Sequence, residues 1–257
     1  MRHFRSLLFL TLPVLLSVPI AAQQPPQRDP QAVALLQRAL AAMGGIVPSD
    51  SVATGNVVLV EGSKTTDGTI RILTRGTEQS AEQIETPGGR RSLIYSQGQA
   101  NGVEGTTVKQ FSLELATSSR SPDFPLVLIA AALNSTDIAF RYLGAEVSGT
   151  AEMHHLRLWN TFYSNQKLRF LAEFTARDVW LDAGSGLPVK VSYEERTGGG
   201  ASSRIPIVLT YSSYKNVGGV LYPFSIEKSV NGTPWAKITV AQVHLNTGLT
   251  DNDFPIR

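Results

Sequence analysis

The chain has 257 residues, with 23 lysines and arginines against 21 aspartates and glutamates, and it contains no cysteine. Disulfides and a lipidated N-terminal cysteine are therefore excluded, and the nearly balanced charge disfavours a nucleic-acid-binding surface. The length suits one domain of above-average size, which must be held together by its core alone.

The N-terminus predicts a secretory signal peptide over residues 1–22. Arg2 and Arg5 precede an uncharged apolar run that ends at the small residues Ala21 and Ala22. The run contains prolines and is shorter than the roughly 20 residues of a membrane-spanning helix, so we expect cleavage after Ala22 and no permanent anchor. The expected destination is the periplasm, with the cell exterior as an alternative. Cleavage also lowers the basic residues from 23 to 21, which equals the 21 acidic ones.

An amphipathic helix is predicted at the start of the mature chain. Residues 23–28 are polar and contain prolines, which predicts a flexible lead-in, and residues 29–257 then form one domain. Asp29 suits the N-cap and Pro30 the first helical position. Apolar residues at helical spacing follow until two glycines stop the helix. The predicted buried stripe comprises Val33, Leu36, Leu40 and Met43.

From Asn56 onward apolar and polar residues alternate, which predicts β-strands. Turns are predicted at Asp67 and Gly68, at residues 87–89, and at Asn101 and Gly102; such short connections make antiparallel hairpins. A slip of the apolar parity in the last strand predicts a β-bulge near Ala241. The predicted strands cover residues 57–60, 70–73, 93–95, 138–142, 156–158, 174–181, 189–193, 205–211, 220–226 and 235–245.

A second helix is predicted over residues 126–133. Leu126, Ile129 and Leu133 share one face, but Val127 and Leu128 are apolar as well. Such a helix must be covered on most sides or must line an apolar cavity. The order of elements predicts an α+β fold, in which a long antiparallel meander is preceded by one helix and interrupted by another.

The residue patterns predict neither a catalytic centre nor a metal or cofactor site. His154 and His155 are adjacent in a predicted strand and should point to opposite faces, which prevents joint chelation. Residues 184–186 lack the spacing of a nucleophile elbow, and residues 251–253 lack the glycine and glutamate of a calcium loop. Both stretches are interpreted as turns or caps. A metal-dependent hydrolase, built from the histidines and distant carboxylates, is the least favoured alternative.

Several strand-and-turn motifs resemble the LolA-like periplasmic lipoprotein-carrier superfamily. Residues 179–189 are similar to its Trp-Leu-Asp hairpin with a following Gly-Leu-Pro, and residues 211–223 and 246–254 and the helix end at 43–45 are similar as well. The resemblance implies a half-barrel, that is, a curved and unclosed antiparallel sheet. Its apolar concave face would be covered by the two helices and would receive acyl chains.

On this resemblance we expect a non-catalytic periplasmic protein that binds or transfers a lipid or a lipoprotein acyl group. An envelope protein-interaction or sensor module, which binds its partner through the same curved sheet, is the alternative. Large aromatic side chains are available either to fill the concave face or to contact a ligand. The candidates for the arginine associated with carrier cavities are Arg71, Arg75, Arg90 and Arg91. The expected ligand contacts are Leu126, Ile129, Leu133, Trp159, Trp180 and Tyr211.

Overall fold

The computed structural model describes residues 25–197 and 203–256, and these ranges contain thirteen strands and three α-helices. The predicted signal peptide lies outside the described residues. Within them, none of the helices has the length and apolarity needed to cross a membrane.

The α-helices are α1 (Pro30–Ala42), α2 (Leu113–Ser118) and α3 (Pro125–Asn134), and 3-10 helices cover Gln166–Phe174 and Asp251–Asp253. The strands are β1 (Asp50–Glu61), β2 (Lys64–Arg75), β3 (Gln79–Thr86), β4 (Gly89–Ser96), β5 (Gln99–Glu104), β6 (Thr107–Gln110), β7 (Ile138–Ser148), β8 (Ala151–Asn160), β9 (Arg177–Asp182), β10 (Pro188–Thr197), β11 (Ser203–Val217), β12 (Val220–Val230) and β13 (Thr233–Leu245).

The strands form one antiparallel sheet in the order β6-β5-β4-β3-β2-β1-β13-β12-β11-β10-β9-β8-β7. The chain starts near the middle with β1 and runs outward by hairpins to β6. It then crosses through α2 and α3 to the opposite edge and returns from β7 to β13, which pairs with β1. In the described part of the chain the edge strands β6 and β7 do not pair with each other, so the sheet stays open. The predicted α+β meander with a leading and an inserted helix is confirmed.

The sheet is strongly curved. Glu82 in β3 and Lys228 in β12 are four strand positions apart, yet their charged groups are 3.6 Å from each other. Neighbouring strands are about 4.8 Å apart, so four steps across a flat sheet would separate the two backbones by about 19 Å. Contact between the two side chains therefore requires the sheet to bend around a concave interior.

The main core lies between this concave face and the helices. Leu36 of α1 and Met43 at its C-cap are fully buried as predicted, together with Ala32 and Ala39. Val33 and Leu40 are only partly buried. Helix α1 packs against α3. Its start follows the predicted chemistry, because the Asp29 carboxylate accepts hydrogen bonds from the first-turn amides.

The end of the predicted lead-in has defined contacts with the edge strand β7. The Phe140 amide donates to the carbonyl of Gln27 at 2.9 Å, and the Asp29 amide donates to the carbonyl of Phe140 at 3.2 Å. The Arg28 guanidinium donates to two carbonyls at the end of α3. Part of this sheet edge is therefore covered by the segment that enters α1.

Two predicted turns and one strand start are wrong. Asp67 and Gly68 lie within β2, and Asn101 and Gly102 lie within β5. A Cβ atom on Gly68 would lie 2.5 Å from the Glu85 carbonyl oxygen of β3, so this glycine permits a close approach of strands. The strand predicted from residue 174 begins at residue 177, because the preceding residues form a 3-10 helix.

The bulge predicted near Ala241 is confirmed. The partners of Thr54 and Gly55 are Gln242 and Val240, which leaves Ala241 as the additional residue of β13. The bulge lies where β1 pairs with β13, which joins the two arms of the sheet, β1–β6 and β7–β13.

Candidate functional site

Residues 119–124 join α2 to α3 and cross the concave side of the sheet; this segment is called the strap below. The Tyr95 hydroxyl of β4 donates to the Ser119 carbonyl at 2.8 Å, and the Tyr211 hydroxyl of β11 donates to the Pro122 carbonyl at 2.8 Å. Burial raises the pKa of both tyrosines well above the usual range, so both hydroxyls stay protonated donors. The strap is thereby fixed to both arms of the sheet.

Three ionisable side chains meet beneath the strap. Lys228 and Glu82 are each about 8% exposed, and the Asp123 carboxylate of the strap accepts a hydrogen bond from Ser121 at 2.8 Å. Burial, followed by the Glu82 carboxylate, raises the pKa of Asp123 well above its usual range. Burial alone would lower the pKa of Lys228, but the surrounding acidic groups, Glu82 first, raise it. The concave face is therefore only partly apolar.

A cavity of about 630 Å³ lies beside the strap. The β2–β3 and β4–β5 hairpins line one side, and the start of β7, the end of β8 and the start of β9 line another. The strap and α3 supply the remaining wall, and exposed residues such as Gln99 and Asn134 mark the rim. The volume falls within the roughly 300–1,000 Å³ of small-molecule sites.

The lining differs in polarity from element to element. Helix α3, β7, β8 and the loop after β8 contribute mainly apolar side chains, whereas the β2–β3 and β4–β5 hairpins contribute mainly hydroxyl and charged groups. The cavity is therefore amphipathic. The apolar lining includes Val127, Leu128, Ala131, Ala132, Ile138, Leu158, Trp159 and Phe162, and the polar lining includes Thr74, Thr77, Glu78, Ser80, Tyr95, Arg120, Asp123 and Arg177.

Two arginines line this cavity. Arg177, at the start of β9, is 7% exposed, donates to the Ser118 carbonyl at 2.8 Å and stacks over the Tyr193 ring at 4.4 Å. Arg120 of the strap is partly buried and donates to the Thr77 carbonyl. Burial lowers the pKa of Arg177 to about 10, which still leaves the group charged at neutral pH. Among the described residues, neither guanidinium has a carboxylate within ion-pair distance.

Only one of the six predicted ligand contacts lines the cavity, namely Trp159. Leu126 and Ile129 are fully buried in the core shared with α1, and Leu133 packs against the same core. The cavity wall of α3 is formed by Val127, Leu128, Ala131 and Ala132. Tyr211 donates a hydrogen bond to the strap and does not line the cavity. Because α3 is apolar on nearly every side, its sequence could not show which face borders empty space.

Trp180 lies on the convex face of the sheet, because its neighbours Val179 and Leu181 point into the core. The Trp180 ring stacks on His155 with centroids 4.1 Å apart, and its indole N–H donates to Glu146 at 2.8 Å. His154 points to the other face, where its Nδ1 lies 3.2 Å from the Tyr142 hydroxyl. The prediction that the two histidines occupy opposite faces is confirmed.

The four arginine candidates from the sequence lie away from the cavity. Arg75 pairs with Asp251 at 2.5 Å and Arg90 with Glu85 at 3.2 Å. The cavity arginines, Arg120 and Arg177, were not singled out by any sequence motif. Of the other two candidates, Arg91 is 3.8 Å from Glu61, and Arg71 donates to Gln83 at 3.5 Å.

Two stretches tested for catalytic or metal motifs are turns and caps, as predicted. The Asp182 carboxylate accepts hydrogen bonds from the amide and the hydroxyl of Ser185, both at 2.7 Å. Thr250 and Asp253 form a capping box at the terminal 3-10 helix. Across residues 25–197 and 203–256, no group of three or more histidine, aspartate or glutamate side chains could hold a metal ion.

An open, curved antiparallel sheet with helices and a strap over a cavity defines the class of covered half-barrels. The fold is LolA-like, and three crystal structures share it. One is a domain named as an outer membrane lipoprotein-sorting protein from Vibrio parahaemolyticus, with a TM-score of 0.57 and 16% identity over 87% of this chain and 96% of that one. The second is a LolA superfamily protein from Nitrosomonas europaea, with a TM-score of 0.57 and 14% identity over 88% and 97%.

The third is a DUF1329 family protein from Desulfovibrio piger, with a TM-score of 0.55 and 11% identity over 87% of this chain and 97% of that one. The LolA-like fold implied by the sequence resemblance is therefore confirmed. No protein-family model matches the chain, and no curated protein matches its sequence.

Proposed function

We propose that the protein binds one acyl chain of a lipid or lipoprotein in the cavity beside the strap, without covalent chemistry. The main observation in support is the apolar wall that α3, β7 and β8 form along a cavity of about 630 Å³ within a LolA-like fold. The predicted signal peptide supports a periplasmic location for this activity. The named role of the Vibrio parahaemolyticus domain in lipoprotein sorting points to the same class of ligand.

The volume limits the cargo. At about 30 Å³ per methylene group, close to the volume of a water molecule in the liquid, the cavity accommodates on the order of 20 methylene groups. That is one acyl chain rather than three. Each buried methylene contributes about 0.8 kcal/mol, so a ligand shorter by two methylenes should bind about 15-fold more weakly.

A cavity-filling substitution tests the proposal. Ala131 of α3 lines the cavity, whereas Ala41 of α1 is exposed on a helix of similar length. We expect Ala131→Trp to weaken binding of a neutral fluorescent probe, N-phenyl-1-naphthylamine, at least tenfold, and Ala41→Trp to leave it unchanged. Native mass spectrometry of the exported protein in detergent-free buffer should detect a co-purified lipid.

Two results would contradict the proposal. One is the absence of any probe binding by the folded wild-type protein. The other is full probe affinity in Ala131→Trp with an unchanged circular dichroism spectrum, because binding would then occur elsewhere on the molecule.

A further inference from the structure

We infer that the ligand is an anionic amphiphile whose carboxylate or phosphate headgroup is bound by Arg120 and Arg177. This inference rests on the proposed function, since it places the acyl chain of that ligand along α3 and β8. It adds the chemistry and the orientation of the headgroup.

The first argument is that neither cavity arginine has a carboxylate partner among the described residues. Buried guanidinium groups are normally paired with carboxylates, because burial of an unpaired charge is costly. Arg177 is 7% exposed, and its hydrogen bonds go to backbone carbonyls, including that of Ser118. Arg120 likewise donates to a backbone carbonyl. Carbonyl dipoles leave the positive charge of both groups unneutralised.

The second argument is that no nearby carboxylate pairs with either arginine. Glu82 pairs with Lys228 at 3.6 Å. Asp123 lies beside Glu82, and its burial raises its pKa well above the usual range, which disfavours the charged form. The negative charge of Glu78 raises the pKa of Arg120, and that of Glu195 raises the pKa of Arg177. Neither carboxylate is within ion-pair distance of these arginines. An incoming anion would supply the missing negative charge.

The third argument is geometric. Both arginines line the same cavity as the hydroxyl-bearing residues Thr74, Thr77 and Ser80, while Leu128 and Trp159 belong to its apolar wall. Guanidinium groups match the planar geometry of a carboxylate or a phosphate and bind either with paired hydrogen bonds. An anionic headgroup with one acyl chain would therefore satisfy both parts of the lining.

Competition with matched ligands tests this inference. Dodecanol, laurate and dodecyl phosphate share a twelve-carbon chain and differ in the headgroup, and each can displace the neutral probe below its micelle concentration at pH 8. We expect the two anions to bind at least tenfold more tightly than dodecanol. The stronger of the two anions then identifies a carboxylate or a phosphate site.

Substitutions assign the effect to the arginines. Arg120→Gln should lower the affinity for the preferred anion at least tenfold more than it lowers the affinity for dodecanol or the neutral probe. Arg177→Lys keeps the charge and should weaken the anion less than Arg177→Gln does. Arg90→Gln alters an exposed arginine whose side chain is 72% accessible, and it should have no effect. Thermal unfolding of each variant shows whether it is folded.

The outcomes separate the two proposals. Equal affinity for dodecanol, laurate and dodecyl phosphate, with no change in folded Arg120→Gln, would overturn the anionic headgroup and leave the acyl-chain cavity standing. Failure of the neutral probe and of all three ligands to bind the folded wild-type protein would overturn both.

Discussion

Replacing Lys228 with methionine leaves the buried carboxyl groups of Glu82 and Asp123 without their nearby cation. Lys228 and Glu82 are each about 8% exposed and 3.6 Å apart, so water screens the pair poorly. Removal of one partner from a buried ion pair costs roughly 3–5 kcal/mol. For a domain of this size, 1 kcal/mol corresponds to about 2–4 °C, which gives a predicted fall in Tm of about 6–20 °C.

The loss of stability in Lys228→Met should increase as pH rises. Without Lys228, burial of the acidic cluster without a cation favours protonated carboxyl groups in the folded variant, and burial already raises the pKa of Asp123 in the wild-type protein. Carboxyl groups of the unfolded chain titrate near pH 4, so the folded variant binds more protons above that pH. Its stability must therefore fall as pH rises, by up to about 1.4 kcal/mol per pH unit for each proton retained.

Urea unfolding at pH 5 and pH 8 measures both effects. The Lys228→Met deficit relative to wild type should be larger at pH 8, and adding Glu82→Gln should restore part of it. Lys237→Met is the control, because Lys237 pairs with Glu227 on the surface at 3.1 Å and should cost less than about 1 kcal/mol. A Lys228→Met deficit below 1 kcal/mol, or one that is equal at the two pH values, would refute this reasoning.

Four further substitutions test the site and the fold. Trp159→Ala should weaken probe binding several-fold, whereas Trp180→Ala, on the convex face, should lower Tm and leave probe affinity intact; the reverse result in a probe titration would support Trp180 as a ligand contact. Tyr211→Phe leaves the buried strap carbonyl of Pro122 without its donor, and chemical unfolding should show a loss of about 1–3 kcal/mol; an unchanged stability would show that this bond does not fix the strap. Gly68→Ala forces a Cβ atom to 2.5 Å from a backbone oxygen of β3, and calorimetry should detect a loss of about 1–3 kcal/mol; an unchanged Tm would mean that the strands can separate without cost.

Local patterns in the sequence determined much of the fold. The Asp29 cap and Pro30 located the start of α1, and the parity slip located the bulge at Ala241. Alternation identified most strands because exposed and buried positions differ in polarity along one chain segment. The turn predicted at Gly68 is wrong, because glycine is as common at a close approach of two strands as in a turn. Only the position of β3 distinguishes the two cases.

The site was decided by tertiary structure. Glu82, Asp123 and Lys228 are distant in sequence, and the curvature of the sheet brings their side chains together. Arg120 and Arg177 likewise line one cavity only because the strap crosses the concave face of the sheet. Periodicity records which side chains share a face of one element, and it carries no information on which distant element that face will meet. Caps, strands and bulges follow from neighbours along the chain, whereas a cavity and its charges follow from how the whole sheet bends.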